Sequence, residues 1–244
     1  MAIRSTDKSA DILLNHPELL TSFIRLGIRP GVGDETIEES SHHSRLHTDA
    51  FVALINILED AKYQPQSDMQ KYNILPLIDF ITTSHTEIEK RLQLIERHLQ
   101  RLLATLEGEE RIAQAISLFY SDFSKELSAV IEEEDSNIFP RIAELYNLYY
   151  SPGFVPKESQ LTIIDLKESD KRYMAIEEKM NDLFSLLIRH IQGKYDETLY
   201  CGAFQLLINL RFEFQSLHAV CINMLLPAAV DMMHTIKRKG SSKK

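Results

Sequence analysis

The chain has 244 residues, is 44% hydrophobic and 26% charged, and carries a formal net charge of −9. That length buries a full core without staples, and the acidic balance excludes a nucleic-acid surface as the main function. With two cysteines, no apolar run near the N-terminus and no 18-residue apolar stretch, the sequence predicts a cytoplasmic protein with no signal peptide and no membrane span.

Residues 1–60 read as a small helical domain. Asp11–Asn15 and Pro17–Leu26 are short amphipathic segments, the second with Pro at an N1-like position. Gly27 ends it, and Ile28–Gly33 forms a turn with two glycines. Asp34 is the expected N-cap of a short helix to Glu39, and Thr48 that of a last helix with apolar positions Phe51, Leu54, Ile55 and Leu58. His42, His43 and His47 lie between. Three histidines in six residues invite a metal reading, but no carboxylate or cysteine nearby completes a site, so a polar loop before a cap is favoured. Residues 61–71, with Pro65, are the expected linker.

No proline occurs from Leu77 to Phe139 or from Lys157 to Leu226, as a helix bundle requires. The first long helix is expected over Ile74–Leu106, with the stripe Ile78, Ile81, His85, Ile88, Leu92, Ile95, Leu99, Leu102, Leu106 in steps of three and four. The second starts near Glu109 and continues or kinks through Pro140 to Tyr150. Its stripe is Ile112, Ile116, Phe119, Phe123, Leu127, Val130, Ile131, Glu134, Ile138, while Glu132, Glu133 and Asp135 point to water. Residues 151–164 form a loop. The third helix spans Asp165–Gln192, with the stripe Leu166, Tyr173, Ile176, Met180, Leu183, Leu187, His190. The fourth spans Tyr195–Ile236, with Leu207, Leu210, Phe214, Leu217, Cys221, Met224, Ala228, and bends at Pro227. Residues 237–244 are a basic, solvated tail. The periodicity predicts an all-α fold: an antiparallel up-down-up-down four-helix bundle over 72–236, preceded by the small helical domain. Cys201 and Cys221, about 30 Å apart along one helix at 1.5 Å per residue, cannot pair.

Inward His85, Glu134, Tyr173, His190 and Cys221 interrupt the apolar seams. A carboxylate there is costly to bury unless paired, hydrogen-bonded or ligating a metal, and its pKa is expected to rise unless a partner neutralises it. Inward His and Glu from different helices are the parts from which bundle metal sites are made.

Three motifs carry a family resemblance: D-F-I-T-T-S-H ending at His85, E-E-E-D-S-N-I-F-P around Glu134, and L-L-P-A-A-V near the end of the fourth helix. Through them residues 72–236 resemble the hemerythrin-like cation-binding domains. The likeness is closest to the di-iron proteins of iron–sulfur cluster repair, also described as regulators of cell morphogenesis and nitric-oxide signalling. H-P-E-L-L-T-S-F-I-R-L-G-I and D-E-T-I-E-E resemble that family's N-terminal domain. The resemblance implies a di-iron site, with His85 as the first-helix histidine and Glu134 as a bridging glutamate. The family's other ligand positions fall on Val130, Tyr173, Leu217 and Cys221, and its paired cysteines on Gly31 and Val32.

Three readings stay open. In the first the chain is a degenerate, metal-free hemerythrin-like protein, non-enzymatic, that senses, scaffolds or binds a protein partner or small ligand. Protonated His85, ionised Glu134 and the Tyr173 hydroxyl then form a hydrogen-bonded cluster. In the second, His85, Glu134, Cys221 and Tyr173 hold one iron or zinc. In the third the family's iron–sulfur repair or oxygen and nitric-oxide stress function persists, with His98, His190 or His218 replacing lost ligands. No nucleic acid or membrane is expected as a partner, and a homodimer remains open. No phosphate-binding loop, dinucleotide fingerprint or nucleophile elbow appears.

Overall fold

Helices carry the architecture. The computed structural model describes residues 2–65, 72–151 and 166–241. Among the described residues there is no strand, only an isolated antiparallel bridge between Lys8 and Thr36, so the fold is all-α. Most of the expected linker, nearly all of the 151–164 loop and the last three residues of the tail lie outside the described residues.

The N-terminal region forms α1 (Ser9–Asn15), a 3₁₀ turn at Pro17–Leu19, α2 (Leu20–Arg25), α3 (Ile37–Ser41) and α4 (Thr48–Glu59). Gly27, at φ 85°, closes α2: the Gly27 N–H bonds to Ile24 O at 3.0 Å and the Ile28 N–H to Phe23 O at 2.9 Å. This is a Schellman ending, which requires a left-handed residue at that point. Two expected caps shift. Thr36, not Asp34, opens α3: its hydroxyl accepts from Glu39 N, while the Glu39 carboxylate takes the Thr36 N–H at 2.8 Å. This reciprocal box satisfies two donors at once, and Asp34 instead pairs with Lys8 at 2.6 Å. His47 rather than Thr48 caps α4, its Nδ1 accepting from Asp49 N at 3.2 Å.

Phe23 and Phe51 meet edge to face at 6.0 Å, and Ile37, Leu54, Ile55 and Ile57 are also buried. Asn56 is the polar exception. It accepts from Ile3 N at 2.7 Å and donates to Ile3 O at 2.9 Å and Val52 O at 2.8 Å, tying the N-terminal chain to α4.

The long helices are α5 (Leu75–Leu103), α6 (Glu110–Glu133), α7 (Phe139–Tyr150), α8 (Leu166–His190), α9 (Glu197–Val220) and α10 (Leu226–Ser241). A π-helical turn at Glu134–Ile138 joins α6 to α7, and another at Cys221–Leu225 joins α9 to α10. Each ends two residues before a proline, Pro140 or Pro227. A helical proline has no N–H to donate and drives its ring into the carbonyl four residues back, here Ser136 or Asn223. Widening the preceding turn opens that spacing, so both helices run on. The wide turn also resets the buried stripe: Phe139 is buried, five residues past Glu134, where four-residue spacing predicts the half-buried Ile138. Two further expectations change. His190 is exposed at the end of α8 and Ile191 takes the buried position. The helix of α10 continues to Ser241, through the first five of the eight residues of the basic tail.

Among the described residues one helical stretch, Glu197–Arg238, is long and apolar enough by composition to cross a membrane, contrary to the reading of the sequence. Its most apolar window is 61% buried within the protein, as in a core helix.

The chain divides into two compact units. The first comprises residues 1–84, 135–166 and 216–244. In it α7 packs on α10, and the Gln64 amide donates to Asn223 at 3.2 Å. The second comprises 85–134 and 167–215. There the Tyr120 hydroxyl of α6 donates to Leu92 O of α5 at 2.6 Å, Lys179 of α8 pairs with Glu126 of α6, Phe184 of α8 meets Phe204 of α9 at 5.1 Å, and Arg91 of α5 pairs with Glu213 of α9 at 3.0 Å. At one end of this unit the Glu109 carboxylate accepts from Gln192 N and Thr105 Oγ1 from Asp196 N, so the two connections 104–109 and 191–196 cap each other.

Replacing Asn56 by Leu leaves the Ile3 N–H and C=O without their partner, and a chemical denaturation series should show a loss of about 2–3 kcal/mol. Burial, with Glu96 and Glu89 nearby, pushes the Tyr120 hydroxyl well above its ordinary value of 10.0. An acid held neutral in the folded state contributes stability that is complete below its unfolded pKa and lost as pH rises beyond it. Stability should therefore fall above about pH 10, and Tyr120→Phe should flatten that limb of the stability–pH curve.

Candidate functional site

Three polar side chains meet inside the second unit. The apolar stripes of α5 and α8 turn His85 and Tyr173 inward, with Ile88 and Ile176 buried one turn further along each helix. Glu134 stands at the first residue of the π-turn, after buried Leu127 and Ile131. His85 is 3% exposed, Glu134 5% and Tyr173 2%. The Tyr173 hydroxyl donates to Glu134 Oε1 at 2.6 Å, and His85 Nε2 lies 3.4 Å from Glu134 Oε2. The tyrosine ring leans on Phe214 of α9, with centroids 5.4 Å apart.

The short O–H···O contact is that of a charge-assisted bond to a carboxylate. The imidazole sits at ion-pair distance, too long for a strong hydrogen bond, and it contributes charge when protonated. Together the three groups place one buried carboxylate between a hydroxyl donor and an imidazole; the imidazole would pair the carboxylate's charge only in its protonated form.

The structure thus brings together three of the four residues singled out from the sequence: His85, Glu134 and Tyr173. The fourth, Cys221, is buried, forms no disulfide, opens the second π-turn and belongs to the other unit. His98 is half-buried with Nδ1 2.9 Å from Leu94 O, and His218 is half-buried. His43 faces Glu35 at 3.6 Å, and His47, besides capping α4, stacks on Tyr72 with centroids 4.4 Å apart. Asp135 departs from its expected solvent position. It is half-buried and accepts from Thr82 Oγ1 at 3.3 Å. A threonine one turn before an inward histidine was the available signal, but the change of helical phase at the π-turn hid it.

The donor set does not fit a di-iron centre. Such a centre takes about four to six nitrogen and oxygen donors, two of them bridging carboxylates. The cluster offers one imidazole and one carboxylate, with Glu134 Oε1 already engaged by a phenol. Among the described residues no group of three or more His, Cys, Asp and Glu side chains is placed to hold a metal ion. Comparison with family models, with curated proteins and with solved structures finds no match.

Tyr173→Phe removes the donor and leaves a buried acceptor; denaturation should show a loss of about 1–3 kcal/mol. Adding Glu134→Leu should recover part of it, giving a coupling of about 1 kcal/mol in the double-mutant cycle; strictly additive losses would show that the two side chains do not act together.

Proposed function

We propose that this chain is a degenerate hemerythrin-like protein: an up-down-up-down four-helix bundle over 72–236, preceded by a small helical domain over 1–60, that has exchanged a di-iron centre for a hydrogen-bonded polar cluster. It works in the cytoplasm as a non-enzymatic sensory or scaffold module that binds a protein partner or small ligand. The observation that carries this reading is the Tyr173 hydroxyl on Glu134 Oε1 at 2.6 Å, with His85 closing the other side. A phenol in that bond fills, with protein, a carboxylate lone pair that a bridging ligand gives to metal.

Two further observations support the bundle. Within the second unit α5 touches α6, α6 touches α8, α8 touches α9 and α9 touches α5, a closed ring of neighbours as four packed helices require. The paired connections at 104–109 and 191–196 lie together, as alternating helix directions demand.

Elemental analysis of protein expressed in iron-rich medium tests the proposal. The expected result is iron and zinc far below one equivalent per chain. Near-stoichiometric iron with oxo-bridge absorption would overturn it in favour of the family's iron–sulfur repair or oxygen and nitric-oxide response. One equivalent of zinc or iron lost in Cys221→Ala would point instead to a single-metal site that recruits Cys221.

A further inference from the structure

A cleft of about 260 Å³ opens within the first unit, between the end of α2, the segment joining α3 to α4, and the first turns of α5. Two opposite charges line it, the exposed Arg45 and the exposed Asp79. Among the described residues neither side chain has a hydrogen-bond or ion-pair partner, and no ion pair joins the two to each other. The remaining polar groups of the lining are engaged within the protein. Arg25 donates from Nη1 to the buried Ser84 hydroxyl at 3.0 Å, and His43 faces Glu35 at 3.6 Å. The hydroxyls of Ser44 and Thr83 donate to backbone, to Ser41 O and Asp79 O, each at 2.7 Å. The groups left for a ligand are one cation and one anion.

The backbone holds Arg45 in an uncommon state. At φ 60° it is the one non-glycine residue with positive φ among the described residues. A long side chain rarely adopts that conformation, and such outliers concentrate at binding sites. The local frame enforces it, because the Ser44 hydroxyl accepts from Leu46 N at 3.2 Å and so ties together the two neighbours of Arg45. Gly27 lets this segment approach the end of α2, since a Cβ there would lie 3.2 Å from His43 O. On the other side, Asp79 stands on the solvent face of α5. The apolar lining is mostly withdrawn: Leu26 and Phe80 are buried and Pro76 half-buried. The cleft therefore offers little apolar surface to a long side chain.

We propose that this cleft binds a small α-amino acid as its zwitterion, with the carboxylate on Arg45, the ammonium on Asp79 and a short side chain against Pro76. The guanidinium fork matches the paired oxygens of a carboxylate, and an ammonium brings three donors to a carboxylate that only accepts. A ligand with both charges satisfies both groups at once. A simple anion would instead sit beside the like charge of Asp79, and a simple cation beside that of Arg45. Arg25 is left on Ser84 and takes no part. No residue of the His85 cluster lines the cleft, so this binding and the metal content of the protein are read independently.

The full-length chain is titrated by calorimetry at constant ionic strength with L-alanine, with propionate and with ethylamine, which lack the ammonium and the carboxylate respectively. L-alanine should bind saturably at one site with a Kd about millimolar or tighter. Propionate and ethylamine should each bind about tenfold more weakly or worse. Arg45→Gly and Asp79→Asn should each weaken L-alanine about tenfold or more. Glycine takes φ 60° without strain, so Arg45→Gly should keep the parent's helical signal and decides the matter if Asp79→Asn fails to fold. No saturation by L-alanine, propionate binding as tightly as L-alanine, or parental affinity in Arg45→Gly overturns the proposal.

Discussion

A proline inside a long helix imposes a geometric demand, and in this protein two such demands set the helical phase on which the polar interior depends. Pro140 and Pro227 each lack the N–H that would bond back one turn. The chain answers with a π-turn ahead of each, so that α6 continues into α7 and α9 into α10 instead of ending. The first wide turn begins at Glu134 and the second at Cys221. Each begins on an inward, chemically distinct side chain, the kind of place where π-bulges are most often found.

Glu134 then shows how a carboxylate survives in such a place. In a low-dielectric interior an ionised acid needs donors on both oxygens, or it gives up its charge. Tyr173 meets one oxygen and His85 stands by the other. Both partners come from stripes that are otherwise apolar, so the same 3.6-residue period that packs the core also aims the cluster. The cluster links α5, α8 and the π-turn that follows α6 through one hydroxyl–carboxylate bond and one imidazole–carboxylate approach.

Much of this was legible in the sequence, and the parts that were not have identifiable causes. Helix identity and the inward positions of His85, Glu134, Tyr173 and Cys221 followed from periodicity, because each sits three or four residues from apolar neighbours on a long helix. Ile138 was misplaced because a four-residue step does not hold across a π-turn, and the buried residue is Phe139. His190 was misplaced because α8 ends on it, where a stripe no longer constrains the side chain. The caps at Thr36 and His47 were missed because Asp34 and Thr48 are the stronger cap formers by type, while the actual choice depends on which side chain finds a reciprocal partner. Nothing in the local sequence brings Arg25 near Arg45. Only the turn at Gly27 and the left-handed residue at 45 do so.

The two polar features therefore differ in kind. In the His85 cluster every group faces another group of the protein, within side chains that are nearly inaccessible. The field of that carboxylate is spent over a few ångströms and reaches solvent weakly. The cleft lined by Arg25, His43, Arg45 and Asp79 has the opposite character: it opens to solvent, with Arg45 exposed, and charges there are screened within about a Debye length, whereas the buried carboxylate of Glu134 acts on its neighbours with little screening.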